Sequence, residues 1–348
     1  MSEIWTGALN DGYRIGGRVG LYDTTLRDGE QTVGVVLDPE PKLEIARLLD
    51  ELGVDRIEAG FPRVSQDDWE AVKLVAAAGL RTQVWGFSRA VPADLEALVE
   101  LGVPASVIES PSDLKLDPIG VDRETMLGRI THAMRFAAEH GIHAAFFGVD
   151  STRAEPDFYD RVYTAAVEAG AREVVVVDTI GIASPEAVAD LVSRTRALVG
   201  DGVPIYFHGH NDFGLATASA VAAVRAGADW VQGTINGMGE RAGNANLGEV
   251  ALTLRALYGV EANLRLEGVR DVSARVQELS GYELAPWKQR SRPGSTTRPR
   301  SSRTRRRSSA PSGVSCSGRR AGSTRSGSRP GSSASTFRRS DTQSCSRS

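Results

Sequence analysis

Two cysteines are all that the 348 residues contain, Cys316 and Cys345, and both fall near the C-terminus. Up to Lys288 there is none, which excludes a disulfide framework and a thiolate metal site from that part of the chain. No run of about 18 apolar residues occurs, so no membrane span is expected. Residues 1–13 lack a basic stretch followed by an apolar one. A secretory leader is therefore not expected, and the cytoplasm is the default location. Basic residues are scarce in the body. Fifteen of the 41 Lys and Arg lie beyond Lys288, together with only one of the 44 acids, Asp341. That leaves 26 basic against 43 acidic residues before the tail, a net charge near -17, with the tail near +14. An acidic body does not suggest nucleic-acid binding.

What is present, after a lead-in over residues 1–18, is a repeated alternation of short apolar segments with amphipathic ones. Strands are expected at 19–23, 55–60, 82–87, 106–109, 144–149, 173–178, 204–208 and 230–234. Helices fall between them. The segment 41–52 has apolar Leu43, Ala46, Leu48 and Leu49 at helical spacing, and 122–139 has an acidic first turn and stops at His140-Gly141. Ser184-Pro185-Glu186 reads as an N-cap followed by proline at the first helical position. Eight strand-helix units in about 240 residues predict an α/β fold, a (β/α)8 TIM barrel over 19–260. A doubly wound sheet is the rival, but it usually has a Gly-rich phosphate loop after its first strand. Here that place holds Asp23-Thr-Thr-Leu-Arg-Asp-Gly-Glu-Gln31, acidic and with one glycine.

In such a barrel the active site lies at the carboxyl ends of the strands. Distinctive residues recur there: Arg27, Asp28, Glu30 and Gln31, Glu58, Ser110, Asp150 and Arg153, Asp178 and Thr179, His208 to Asp212, and Glu240, Arg241 and Asn244. His208 and His210 end the seventh strand two residues apart, so both imidazoles project to one face. Neutral imidazole is the commonest metal ligand; the plain alternative is two polar residues where a strand meets a loop. Gly209 between them lets the backbone sit close to whatever binds. Asp28 is a candidate third ligand, if the first and seventh strands face each other across the mouth. Two imidazoles and a carboxylate suit Mn2+, Zn2+, Fe2+ or Co2+, with Mg2+ also admitted. The open positions would chelate a 2-oxo acid, polarise its ketone and let Arg27 pair with its carboxylate. A local ion pair is the plain alternative for Arg27 and Asp28. The loop 233–244 has four glycines. It either exposes amides to a phosphate-bearing ligand or is simply a turn.

These segments together resemble the metal-dependent acyl-CoA condensing enzymes and lyases built on a (β/α)8 barrel, which include homocitrate, isopropylmalate and citramalate synthases. The resemblance rests on Asp23-Thr-Thr-Leu-Arg-Asp-Gly-Glu-Gln-Thr32, Ile57-Glu-Ala-Gly-Phe-Pro62, Asp178-Thr-Ile-Gly181, His208-Gly-His-Asn-Asp212 and Gly239-Glu-Arg-Ala-Gly-Asn244, in order over roughly residues 18–288. It implies Asp28, His208 and His210 as metal ligands with Asn244 close by, and Arg27 and Thr179 on the 2-oxo acid carboxylate. Arg27, Glu58, Asp150 and Glu240 are the candidates for catalysis. Arg27, Gln31, Ser110, Arg153, Thr179 and Arg241 are those for substrate binding. The implied reaction is a Claisen-type condensation of acetyl-CoA with a 2-oxo acid, using Mn2+, Mg2+, Zn2+ or Co2+, in a homodimer. The glutamate-arginine loop looks like the synthases rather than the lyases, which carry cysteine there. Ser110-Pro-Ser-Asp113 is similar to the homocitrate synthase branch. One departure stands out: Val149 occupies a position where the family often has glutamate. That leaves the 2-oxo acid open, including a phosphonate or phosphinate analogue. A lyase or aldolase on the same barrel, and a non-catalytic barrel with a basic binding tail, are the competing readings.

Up to Lys288 the chain continues like this family, with 261–288 as the start of a helical C-terminal region. From 289 to 348 it becomes Arg, Ser, Gly, Pro and Thr. That composition cannot bury a core and is expected to be disordered. It reads either as a basic arm for an acidic partner or as the out-of-frame translation of a GC-rich gene.

Overall fold

A computed structural model describes residues 6–112, 120–285 and 288. Residues 1–5 of the lead-in, Asp113, and the basic tail with Cys316 and Cys345 lie outside the described residues.

All eight expected strands form: β1 (Arg18–Asp23), β2 (Arg56–Glu58), β3 (Gln83–Arg89), β4 (Ala105–Pro111), β5 (His143–Val149), β6 (Glu173–Asp178), β7 (Ile205–Gly209) and β8 (Trp230–Gly233). They are parallel and pair in sequence order, and β1 pairs with both β8 and β2, which closes the barrel. The second strand ends at Glu58, shorter than expected, although the Ala59 N–H still donates to the Trp85 carbonyl at 2.8 Å and the Gly60 carbonyl accepts from the Phe87 N–H at 3.2 Å. A short β9 (Glu261–Ala262) adds to the start of β1.

The helices are α1 (Pro39–Leu52), α2 (Gln66–Ala76), α3 (Pro92–Glu100), α4 (Arg123–Glu139), α5 (Pro156–Glu168), α6 (Pro185–Val199), α7 (Ala216–Arg225), α8 (Leu247–Thr253) and α9 (Val269–Ser280). Their boundaries follow local chemistry. α1 starts earlier than expected because Pro39, with its fixed φ, fits the first turn. The Ser184 hydroxyl accepts from the Ala187 N–H at 3.2 Å to open α6, and the Asp122 carboxylate accepts from the Thr125 N–H at 2.8 Å to open α4. No helix of the described residues is long and apolar enough to cross a membrane.

Strand alternation divides the core in two. Leu21, Ile57, Ile108, Phe146, Val174, Val176, Ile205, Phe207 and Val231 face the helices. Tyr22, Trp85, Phe87, Val107, Ala145, Phe147, Val175, Val177 and Tyr206 fill the barrel. Trp230 lies across Gly20, where a Cβ would fall 2.1 Å from its ring.

The floor of the barrel, at the amino ends of the strands, is a buried ion pair. Arg56 donates to the two Glu173 oxygens at 2.7 and 3.2 Å and to Gln83 at 2.9 Å. Its guanidinium lies 4.5 Å from the Trp85 ring centroid and 3.7 Å from that of Trp230. Tyr206 donates to Glu173 as well, and His143 Nε2 lies 2.8 Å from it. Removing one partner of such a pair strands the other charge. Arg56→Ala is therefore expected to lower unfolding stability by about 3–5 kcal/mol, read as a lower urea midpoint, with metal binding at the opposite end retained.

Candidate metal centre

β1 ends at Asp23, whose carboxylate accepts from the Thr25 N–H at 2.8 Å and the Thr25 hydroxyl at 3.0 Å. The Arg27 and Gly29 N–H groups then both return to the Thr24 carbonyl, at 3.1 and 3.0 Å. This turn folds Arg27 and Asp28 back over the barrel mouth. β7 delivers His208 and His210 to the same place, with their Nε2 atoms 3.3 Å apart. Asp28 Oδ2 lies 3.4 Å from His208 Nε2 and 3.7 Å from His210 Nε2. The other oxygen, Oδ1, accepts from Asn244 Nδ2 at 2.9 Å. The first and seventh strands do not face each other across the mouth as the sequence suggested. They flank β8, and the loop after β1 reaches over it.

Asp28, His208 and His210 are all buried, and their ligand atoms lie within 4.8 Å of one another. Burial, and then the neighbouring His208, push the His210 imidazole down to about 4, so it is neutral and ready to ligate. Burial alone would raise the Asp28 carboxyl, but Arg27, and after it the hydrogen bond from His208, outweigh it and hold it well below the usual carboxylate range. The Nδ1 atoms of both histidines and Oδ1 of Asn244 are buried with no hydrogen-bond partner among the described residues. Buried polar atoms are rarely left unmatched. The two Nε2 atoms and Asp28 Oδ2 converge, with the unpartnered Asn244 Oδ1 beside them, and a two-imidazole, one-carboxylate set of this kind fits a divalent cation.

Arg27 forms the wall beside the triad. Its Nε donates to Glu58 at 2.6 Å and its Nη1 to Asp28 at 3.2 Å, and the guanidinium lies 4.1 Å from the Phe87 ring centroid. Nη2 is buried and has no partner among the described residues. Glu58 also accepts from the Tyr22 hydroxyl at 3.2 Å, and burial pushes its carboxyl up against the opposing pull of Arg27.

The remaining candidates lie apart from the triad. Arg153 clamps Asp150 through two bonds of 2.7 Å, and the Asp150 N–H donates to the Thr179 hydroxyl at 2.8 Å. Arg241 bonds Asp212 at 2.9 and 3.2 Å, the exposed Glu240 at 3.1 Å and the Thr179 carbonyl, which links these groups along the rim. Gln31 is exposed in a short 3-10 turn. Ser110 lies on the outer face of β4 and donates to Met126 Sδ of α4 at 3.0 Å, since the pleat turns its neighbours Glu109 and Pro111 inward. Gly209 also faces outward. A Cβ there would meet the Phe207 ring at 2.7 Å, so the glycine serves packing and not approach to a ligand. At Gly239, in contrast, φ is 148° and a Cβ would fall 2.1 Å from Asn244 Nδ2 and 2.9 Å from Asp28 Oδ1, so only glycine fits there.

Sequence reasoning missed Tyr22, Glu109 and Gln232. The Gln232 amide is fully buried, with neither polar atom partnered among the described residues. Strand parity was the available signal. Residues 22, 58, 109, 208 and 232 share the inward phase of their strands.

With this geometry in place, comparison with known proteins decides the family. The HMGL-like family model matches residues 18–276. The chain belongs to the HMGL-like family. Among HMGL-like relatives, a homocitrate synthase of Methanopyrus kandleri is 44% identical over 268 residues, 76% of this chain and 67% of that protein. A probable 2-isopropylmalate synthase from the same organism is 44% identical over 271 residues, 77% of this chain and 54% of that one. A putative (R)-citramalate synthase, again from Methanopyrus kandleri, is 43% identical over 275 residues, 77% and 53% respectively. The chain thus spans between about half and two thirds of the curated relatives it matches. Among solved structures, the HMG-CoA lyase of Bacillus subtilis superposes with a TM-score of 0.70 at 20% identity, covering 78% of this chain and 97% of that one. That likeness concerns the barrel alone.

Two measurements follow. Calorimetry with Mn2+ is expected to show one site per chain, lost in His208→Ala and in Asp28→Asn. The second concerns Glu109, which burial pushes up to about 7 despite Arg27 and Arg89. A carboxyl raised on folding binds its proton more tightly in the native state. It therefore costs stability as pH rises from the ordinary carboxyl range through 7, and has no effect below that range. Glu109→Gln is expected to be more stable than the parent at pH 8 by about 3 kcal/mol at most, with the gap closing near pH 4 in urea titrations.

Proposed function

We propose that this protein condenses the methyl carbon of acetyl-CoA with the ketone carbon of a 2-oxo acid, releasing CoA and a 2-hydroxy-2-carboxymethyl acid. The observation that carries this reading is the buried Asp28–His208–His210 set with Arg27 Nη2 unpartnered beside it. It is supported by relatives named as homocitrate, 2-isopropylmalate and citramalate synthases.

Asp28, His208 and His210 would hold the cation, Mn2+, Mg2+, Zn2+ or Co2+, with Asn244 steadying Asp28. When bound, the cation supplies Lewis acidity toward a ketone oxygen. Arg27 presents its free Nη2 to the substrate carboxylate, and Glu58 fixes the guanidinium plane so that this donor is aimed before substrate arrives. Burial of the pocket strengthens these charge-assisted contacts. Arg153, Thr179, Glu240 and Arg241 form the rim past which the larger co-substrate enters. The barrel over 19–260 is the catalytic unit of this reading, and a homodimer is the assembly it carries.

Thiol-reagent detection of CoA from acetyl-CoA, run with Mn2+ or Mg2+ across a panel of 2-oxo acids, tests it. Release is expected with one acid, and is expected to be abolished by chelator and by His208→Ala. Absence of release with every acid, or release that does not need the acid, sinks the proposal.

A further inference from the structure

The condensation proposed above needs a group that removes a proton from the thioester methyl, and the metal-side residues do not supply one. Around the mouth the carboxylates are occupied. Asp28 faces the imidazoles and Asn244. Glu58 holds Arg27 and Tyr22. Asp150 is clamped by Arg153, and Asp178 accepts from Thr152 and the N–H groups of Ile182 and Ala183. Asp212 and Glu240 are bonded to Arg241.

Glu109 is the exception. It follows Ala105 and Val107 on the inward phase of β4 and is level with Phe147 on β5. Its carboxylate has no hydrogen bond or close ion pair with any described residue. The next inward position on β5, Val149, is apolar and offers no proton acceptor. Strand order sets the direction. Asp28 and the imidazoles come from β1 and β7, on either side of β8, and β4 lies opposite β8 in the closed ring. Glu109 therefore stands on the wall facing the triad.

We propose that Glu109 is the proton-transfer carboxyl of this site, a reading that rests on the condensation itself. The carboxylate takes one proton from the methyl group. The C–H pair becomes the double bond of the enolate, with the negative charge on the thioester oxygen. The enolate carbon then forms the new C–C bond to the ketone carbon, and the ketone π pair moves to its oxygen. That oxygen takes the proton back from Glu109, which resets the carboxylate. Water later cleaves the C–S bond and releases the thiol. The groups facing Glu109 are Arg27 and Glu58 from the loop after β1 and from β2, and Arg89 from β3. Asp94 of α3 is also near and holds Arg89 through bonds of 2.8 and 3.1 Å. The balance of burial against these charges sets the carboxyl near 7, where it both accepts and returns a proton at neutral pH.

The test uses the full chain with Mn2+ and the 2-oxo acid that gives CoA release. In Glu109→Gln, kcat is expected to fall by about 10² to 10⁴-fold, with KM for both substrates moving less than about threefold. Mn2+ binding by calorimetry is expected to stay at the parental value. The parent is expected to lose rate on the acid side of pH 7, and Glu109→Asp to restore part of the rate with that limb displaced. Parental kcat in Glu109→Gln, or a loss of rate with the acid limb unchanged, overturns the assignment while leaving the condensation standing. Loss of Mn2+ binding in the same variant also overturns it, because the effect is then architectural. Failure of the parent to release CoA with any acid overturns the condensation, and the assignment falls with it.

Discussion

One guanidinium organises the mouth of this barrel. Arg27 is buried between Glu58 and Asp28 and lies over the Phe87 ring. A lone buried cation is costly, and so are lone buried carboxylates. Each of these three groups is tolerable only in the presence of the others. The pairing ties the loop after β1 to β2 and β3, and that tie presses the Asp28 carboxylate against the two imidazoles. The triad is thus assembled by charge compensation before any cation or substrate is considered, and Arg27 Nη2 is left without a partner among the described residues, free to meet a ligand.

The fold was legible because alternation and helix ends are local signals. Pro39, Asp122 and Ser184 each mark a helix start through chemistry contained within one turn. The His208 and His210 pair was legible for the same reason, since residues two apart on a strand share a face. The closing of the ring, with β1 beside β8, was legible as well, because eight strand-helix units of this length predict a (β/α)8 barrel. What escaped was the path of the loop after β1, which carries Asp28 to the imidazoles of β7 from two strands away. That path is set by packing, and nothing local encodes it.

The same limit explains the residues that were misjudged or overlooked. Ser110 and Glu109 are adjacent, and a polar residue at the end of a strand draws attention whichever way it points. Only the pleat, anchored by Val107 and Ile108 on opposite faces, shows that Glu109 turns inward and Ser110 outward. Gly209 stands between two functional side chains, yet its missing Cβ makes room for Phe207 on the far side. Gln232 lay in plain view on β8, but its significance is that nothing in the described protein satisfies it, and that is a property of the packed interior.

The floor of the barrel bears on traffic through the mouth. Arg56, Glu173, Trp85, Tyr206 and Trp230 seal the amino end of the strands with interlocked charge and ring. Among the described residues the barrel is closed at that end, so the three ligand atoms of Asp28, His208 and His210 are met from the carboxyl-end mouth.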